Sequence, residues 1–238
     1  MDKSIQDEFI STVSHELRTP LTSIRGFSQT LLTSWDKIDE ESKKKFVKII
    51  EEQSGRLINL VENILTVSKM ETNKPLLRKV EINPSINKII QLLAQKYKTH
   101  HFVTHFNTQL PPANLDEDKF QQIITNLLDN AGKYSPENSE ITITTKTENN
   151  QIIISVKDNG IGISESDLTK IFDKFVRLEN HLTSKTQGNG LGLYITKKLV
   201  ESMNGEIYAT SGENIGTTFC IKFPIYNQEE ALKCSLQS

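Results

Sequence analysis

Phe9-Ile-Ser-Thr-Val-Ser-His15-Glu16-Leu17-Arg18-Thr19-Pro20-Leu21 belongs to a longer pattern in which apolar residues recur at Ile10, Val13, Leu17, Leu21, Ile24, Phe27 and Leu31. Steps of three and four write one stripe along a helix. His15 interrupts that pattern. At about 100° per residue it stands about 160° from both Val13 and Leu17, so it is predicted to face away from the stripe. Arg18 and Thr19 follow by three and four residues and share its surface, while Glu16 is its immediate neighbour. Imidazole is a neutral nucleophile at physiological pH without special tuning. A nearby carboxylate can hold its second nitrogen as N–H and steady the positive charge of the attacking ring. Taken alone, an exposed helical histidine is an ordinary solvated residue. Pro20 adds to it: inside a helix it deletes the bond to the Glu16 carbonyl, at a cost of about 3 kcal/mol, which suggests a segment that flexes. A zinc-protease reading fails, because Thr19 stands where a second histidine is required.

Outward from this segment, a second stripe runs through Phe46, Ile49, Ile50, Gln53, Leu57, Leu60, Ile64 and Val67. The polar break over 33–42 turns the chain back, so residues 1–72 are predicted to form a helical hairpin. A lone hairpin leaves its apolar stripes half exposed, and pairing of two hairpins into a dimeric four-helix bundle is expected. Residues 73–77 are a linker candidate, and 78–227 alternate between strand-like and helix-like patterns. Strands are predicted at 76–82, 101–108, 141–147, 152–157, 206–210 and 217–223, with a hairpin turn at Asn149-Asn150. Helices are predicted at 84–98, 116–134 and 190–203, giving an α/β two-layer sandwich with a mixed sheet covered on one face. Residues 228–238 form a tail that matches nothing.

Composition narrows the function classes. The 238 residues are 36% hydrophobic and 24% charged with a net charge of −2, typical of a globular chain and without the positive field that a nucleic-acid backbone requires. Cys220 and Cys234 supply neither a disulfide framework nor a four-ligand zinc site, and a reducing cytoplasm fits them. No apolar run approaches the roughly 18 residues of a membrane span, and the first residues lack the form of a signal peptide. They run directly into an amphipathic helix, consistent with truncation from a longer protein.

Three further segments carry chemistry. In 121–135, Asn126, Asn130 and Lys133 fall on one helix face, where two amides and an ammonium suit a metal-bound triphosphate. Asp158-Asn159-Gly160-Ile161-Gly162 ends an alternating strand with a carboxylate and two glycines; the carboxylate can accept the exocyclic amine of adenine, and the glycines let backbone approach a flat ligand. Gly188-Asn189-Gly190-Leu191-Gly192-Leu193 opens a helix, offering N–H groups to phosphate. It is not the dinucleotide fingerprint, whose third glycine would fall at Leu193, and Gly132-Lys133-Tyr134 is not a Walker loop. Each segment alone also has an ordinary reading as a solvated face, a capped turn or a helix start. Between the second and third, Phe172 and Phe175 can anchor a lid over 178–187 while Arg177 reaches phosphate.

Residues 9–21 resemble the phospho-acceptor segment of the histidine kinase family. The later segments, in order, resemble the asparagine, glycine and phenylalanine boxes of the ATP-binding fold that histidine kinases share with a type II topoisomerase subunit, a heat-shock chaperone and a mismatch-repair ATPase, the GHKL type. The resemblance covers about Phe9 to Phe223. It implies that His15 accepts phosphate from ATP, that Glu16 acts as base or orienter, and that Thr19 places water for a reverse phosphatase reaction. It further implies Asn126 as the Mg²⁺ ligand, Asn130, Lys133, Tyr134 and Arg177 lining the nucleotide, and Asp158 selecting adenine. Gly160, Gly162, Gly188, Gly190 and Gly192 would shape the lid and its hinges, and Thr217, in Gly216-Thr217-Thr218-Phe219, would approach Asp158. The implied partners are a second copy of the chain and the receiver domain of a response regulator, and the implied location is the cytoplasm, as itself or as the cytoplasmic part of a membrane sensor. Asp129 in the asparagine box carries no weight on this basis. A hydrolytic ATPase would need a glutamate near the start of the asparagine-box helix, where this chain has Gln121-Gln122. A docking module without catalysis remains the other class, against which Asn126, Asp158 and the glycines argue.

Overall fold

The structure, a computed structural model, describes residues 3–70, 73–178 and 188–226, with side chains from residue 10 onward. They form two compact units; in chain order the first runs as far as Ser68 and the second begins at Lys69.

The first unit is a helical hairpin, α1 (Lys3–Ser34) and α2 (Glu40–Met70), joined by a 3₁₀ turn at Trp35–Lys37. The turn ends where Asp39 caps α2: its carboxylate accepts from the Ser42 N–H at 2.8 Å and from the Ser42 hydroxyl at 2.7 Å, satisfying a donor that the first helical turn leaves orphaned. α1 is continuous through Pro20. Phe27 and Phe46 pack with ring centroids 5.1 Å apart and tie the two stripes together. Of the apolar stripe residues only Leu31 and Leu60 are buried; Ile10 and Leu21 are exposed and the others are half-buried.

In the second unit the chain runs β1 (Arg78–Val80), α3 (Ile82–Lys96), β2 (His101–Phe106), β3 (Ala113–Leu115), α4 (Glu117–Tyr134), β4 (Glu140–Glu148), β5 (Gln151–Lys157), a single helical turn α5 (Glu165–Leu168), α6 (Gly192–Ser202), β6 (Glu206–Gly212) and β7 (Gly216–Pro224). The main sheet has the order β2-β4-β5-β7-β6; β2 and β4 are parallel, as the intervening crossover requires, and the remaining pairs are antiparallel. The turn between β4 and β5 holds Asn149 and Asn150 at φ 50° and 61°, the positive values that a tight two-residue hairpin turn demands.

Alternation along the strands produces the core. Ile143, Val156 and Phe219 lie in one cross-strand row, and Ile154 and Ile221 face each other in the next, all buried. Against this face α4 sets Phe120, Ile123, Ile124, Leu127, Leu128 and Ala131, a continuous helical stripe, with α3 and α6 packed alongside α4. Phe120 meets Phe223 edge to face at 6.1 Å.

The boundaries differ from the sequence expectation in instructive places. The strand predicted at 76–82 is only Arg78–Val80, paired with a short strand β3 that periodicity did not reveal. Helix α3 starts two residues before the predicted position 84, which puts Pro84 in the first turn, where its missing N–H has no helical partner to lose. The helix predicted from 190 begins at Gly192 because Gly190 holds φ +67°, a left-handed value incompatible with helix. Residues 73–77 have no regular structure, yet they are tied down: Leu76 N–H donates to the Asp116 carboxylate at 2.9 Å and Lys119 Nζ to the Asn73 carbonyl at 3.4 Å. Asp116 also caps α4 through the Lys119 N–H.

Candidate functional site

In the hairpin, His15 is exposed on α1, as the stripe geometry requires. Thr19 donates its hydroxyl to the His15 backbone carbonyl at 3.3 Å, one turn back. The Glu16 carboxylate is not bonded to the imidazole beside it. It is held across the hairpin by Arg56 of α2, with Nη2 to Oε2 at 3.3 Å and both side chains mostly buried. The reason is geometric, since consecutive residues on a helix diverge by about 100°.

In the α/β unit, α4 carries the asparagine-box residues on a half-buried flank beside its buried stripe. Asn126 donates from Nδ2 to the Thr196 hydroxyl of α6 at 2.7 Å, and its Oδ1 lies beside Gly192, where a Cβ would come within 2.6 Å. Asn130 and Tyr134 are half-buried farther along the helix. Lys133 is ion-paired with Asp129, which also accepts from Lys96 Nζ at 2.5 Å and from the Tyr97 hydroxyl at 2.7 Å. Burial pushes the Asp129 carboxyl upward, but Lys133, Lys96 and Tyr97 together outweigh it and hold the group below the usual carboxylate value. Burial, reinforced by the Asp129 charge, raises the Tyr97 phenol.

Asp158 follows directly on β5 and is 4% exposed. Its Oδ1 accepts from the backbone N–H of Gly160 at 2.8 Å and of Thr217 at 3.1 Å, which leaves Oδ2 for a ligand. Burial pushes this carboxyl up, and the two N–H donors pull it partly back. Gly160 sits so close to the Tyr134 carbonyl that a Cβ would stand 2.5 Å from the oxygen. Gly162 has φ +71°, and a side chain there would strike the Gly212 carbonyl. Ser211 links the floor together, bonding the Ile163 N–H, the Gly216 carbonyl and the Thr217 hydroxyl. A hydrogen-bond acceptor flanked by glycine backbone, with amide oxygen and ammonium along the neighbouring helix, suits adenine at one end and a cation-bound phosphate chain at the other.

Two family models match the chain. Residues 5–73 match the His Kinase A (phospho-acceptor) domain, and residues 115–227 match the histidine kinase-, DNA gyrase B- and HSP90-like ATPase. The chain belongs to the histidine kinase family. The sensor protein kinase WalK of Staphylococcus saprophyticus is 39% identical over 222 residues, covering 91% of this chain and 36% of the relative, so the chain spans about a third of that protein's length. Among solved structures, histidine kinase ThkA in complex with response regulator protein TrrA is similar with a TM-score of 0.77 and 26% identity, over 94% of this chain and 63% of that one. Full-length ShkA in complex with AMPPNP is similar with a TM-score of 0.67 and 25% identity, over 92% of this chain and 46% of that one.

Within this histidine kinase chain, the structure brings the site residues predicted from sequence into separate small groups. Asn126 meets Gly192; Asp158 meets Gly160 and Thr217; Lys133 meets Asp129; and Gly190 accepts through its carbonyl from Phe175 N–H at 2.9 Å. Arg177 is exposed just after the phenylalanines, and Phe172 is anchored edge to face on Phe219 at 6.5 Å. Gly188 lies in irregular chain. Most of the predicted lid, residues 179–187, and the tail 228–238 lie outside the described residues. The sequence reading missed Asp129, Tyr97, Lys96 and Thr196. Asp129 carried one signal, its four-residue spacing to Lys133, and Thr196 another, a hydroxyl on an otherwise apolar helical face. Among the described residues, no helix is long and apolar enough to cross a membrane.

Proposed function

We propose that the chain binds Mg²⁺-ATP in the Asp158 pocket, transfers the γ-phosphoryl group to His15, and passes it to an aspartate of a response regulator receiver domain. The observation that carries this is an exposed helical histidine in the same chain as a buried carboxylate with one oxygen left over from its backbone bonds and flanked by glycine backbone. ThkA, similar in structure, is in complex with a response regulator protein, and ShkA with AMPPNP; both support the reading.

Asp158 Oδ2 accepts the adenine amine, while the pre-bonded Oδ1 holds the carboxylate in place. Lys133 and Arg177 balance phosphate charge, and Asn126 Oδ1 is the ligand for Mg²⁺. The cation, when bound, neutralises charge on the phosphate oxygens. An imidazole nitrogen of His15 attacks the γ-phosphorus; the nitrogen–phosphorus bond forms, the bond to the bridging β–γ oxygen breaks, and ADP leaves. Glu16 steadies the imidazolium and takes the ring proton, which requires it to leave Arg56. Catalysis is then mainly positioning and charge neutralisation. Thr19 serves the reverse, dephosphorylating reaction toward the regulator. Two copies pair through the half-buried stripes of α1 and α2, and the chain acts on the cytoplasmic side, as the kinase part of a longer sensor.

Incubation with γ-labelled ATP and Mg²⁺ tests this. An acid-labile, base-stable label present in the native chain and absent from His15→Gln is the expected result. No label in a chain that binds ATP overturns the autokinase and leaves a nucleotide-controlled docking module.

A further inference from the structure

We propose that Thr196 is the positioning residue that fixes the Asn126 amide with its oxygen toward the cation. The inference rests on the reading of Asn126 as the Mg²⁺ ligand and adds how that ligand is aimed. A primary amide offers one oxygen and two N–H donors, and a hard divalent cation takes only the oxygen, so an amide free to rotate by 180° would present the wrong atom half of the time. Asn126 is not free to rotate. Its Nδ2 donates to the Thr196 hydroxyl at 2.7 Å, and Thr196 is 1% exposed, so water cannot take over that bond. Its neighbours on α6, Ile195, Leu199 and Val200, are buried with it.

A second, separate contact points to the same atom. Gly192, one helical turn before Thr196, stands against Asn126 Oδ1 so closely that a Cβ would lie 2.6 Å from it. One face of α6 therefore does two things: Thr196 anchors the nitrogen, and Gly192 keeps a side chain from pressing on the oxygen. The glycine that the sequence reading gave to the lid hinge acquires a second reason: any side chain there would collide with the Asn126 amide oxygen. Partners that orient a metal ligand typically cost about 10–100-fold in metal affinity when removed.

Calorimetric titration of AMPPNP into the full chain, once with Mg²⁺ and once with EDTA, tests the proposal on the native protein, Thr196→Val and Thr196→Ser. The expected result is binding weakened about 10–100-fold by Thr196→Val in Mg²⁺, unchanged binding in EDTA, and near-native behaviour of Thr196→Ser, whose hydroxyl takes the same place. Equal loss in Mg²⁺ and in EDTA makes Thr196 a packing residue and overturns the assignment. So does unchanged binding in Mg²⁺. Tighter binding by Thr196→Val also overturns it, because it means that the hydroxyl donates to Oδ1 and competes with the cation. A native chain that binds AMPPNP equally with and without Mg²⁺ removes Asn126 as a ligand and the proposal with it. One that binds no AMPPNP overturns the nucleotide reading itself.

Discussion

The two units of this chain solve the problem of burying apolar surface in opposite ways. In the α/β unit the strand alternation and the α4 stripe meet face to face, and Phe120, Ile123, Leu127, Ile143, Ile221 and Phe223 have no solvent exposure at all. In the hairpin, two helices of 32 and 31 residues bury only Leu31 and Leu60 of their apolar stripes. A sheet covered by helices closes its core within one chain, whereas two helices offer each other only one line of contact. The residues proposed for phosphoryl transfer follow this division. Asp158 is buried at the end of β5, and His15 is exposed on a helix whose apolar stripe is mostly half-buried.

The largest effect is expected in the core of the α/β unit. Phe120→Ala removes a fully buried ring in contact with Phe223 and is expected to cost about 3–5 kcal/mol, read as a lowered denaturant midpoint that does not change with protein concentration. A concentration-dependent midpoint for that unit would contradict its self-sufficiency. Leu60→Ala in the hairpin is expected to cost less, about 2–3 kcal/mol, and its effect on helical signal should shrink as protein concentration rises, because pairing of two hairpins re-covers part of the stripe. A loss independent of concentration would mean that one chain already completes this core.

The smallest effect has the opposite sign. Burial raises the Asp158 carboxyl above its unfolded value of 3.8, so folding penalises the ionised form. That penalty is absent below the unfolded value, grows as pH rises through the folded one, and is complete above it. Asp158→Asn keeps an oxygen for the Gly160 and Thr217 N–H groups and removes the charge. It is expected to raise the melting temperature slightly at pH 7, with the gain fading as pH falls toward 4, while nucleotide binding is lost. A drop in melting temperature at pH 7 would show that the carboxylate serves the fold and not the ligand.

Much of this was legible in the residues because it depends on local periodicity. The outward direction of His15 follows from helical angle alone, and the asparagine turn between β4 and β5 follows from backbone conformations that few residues adopt. Arg177, the Asp158 carboxylate and the glycines around it were named from their order along the chain. Sequence did not show what each side chain would touch. Glu16 is the neighbour of His15 in sequence but is held by Arg56, forty residues away, and Asp129 gathers Tyr97 and Lys96 from the end of α3. The short strand β3 was missed because three residues are too few to show alternation, and it exists through its pairing with β1.

The helical hairpin, the alternating sheet and the placement of polar groups along one face of α4 were already specified by the amino-acid sequence. These depend on the spacing of side chains along a regular backbone, which chain order specifies. Tertiary packing alone sets the bond from the Thr217 N–H to Asp158, 59 residues away, and the bond from the Asn126 amide to Thr196, 70 residues away. Those bonds form only when β5 pairs with β7 and α4 packs on α6, and no local pattern encodes the direction in which a carboxylate or an amide will then point.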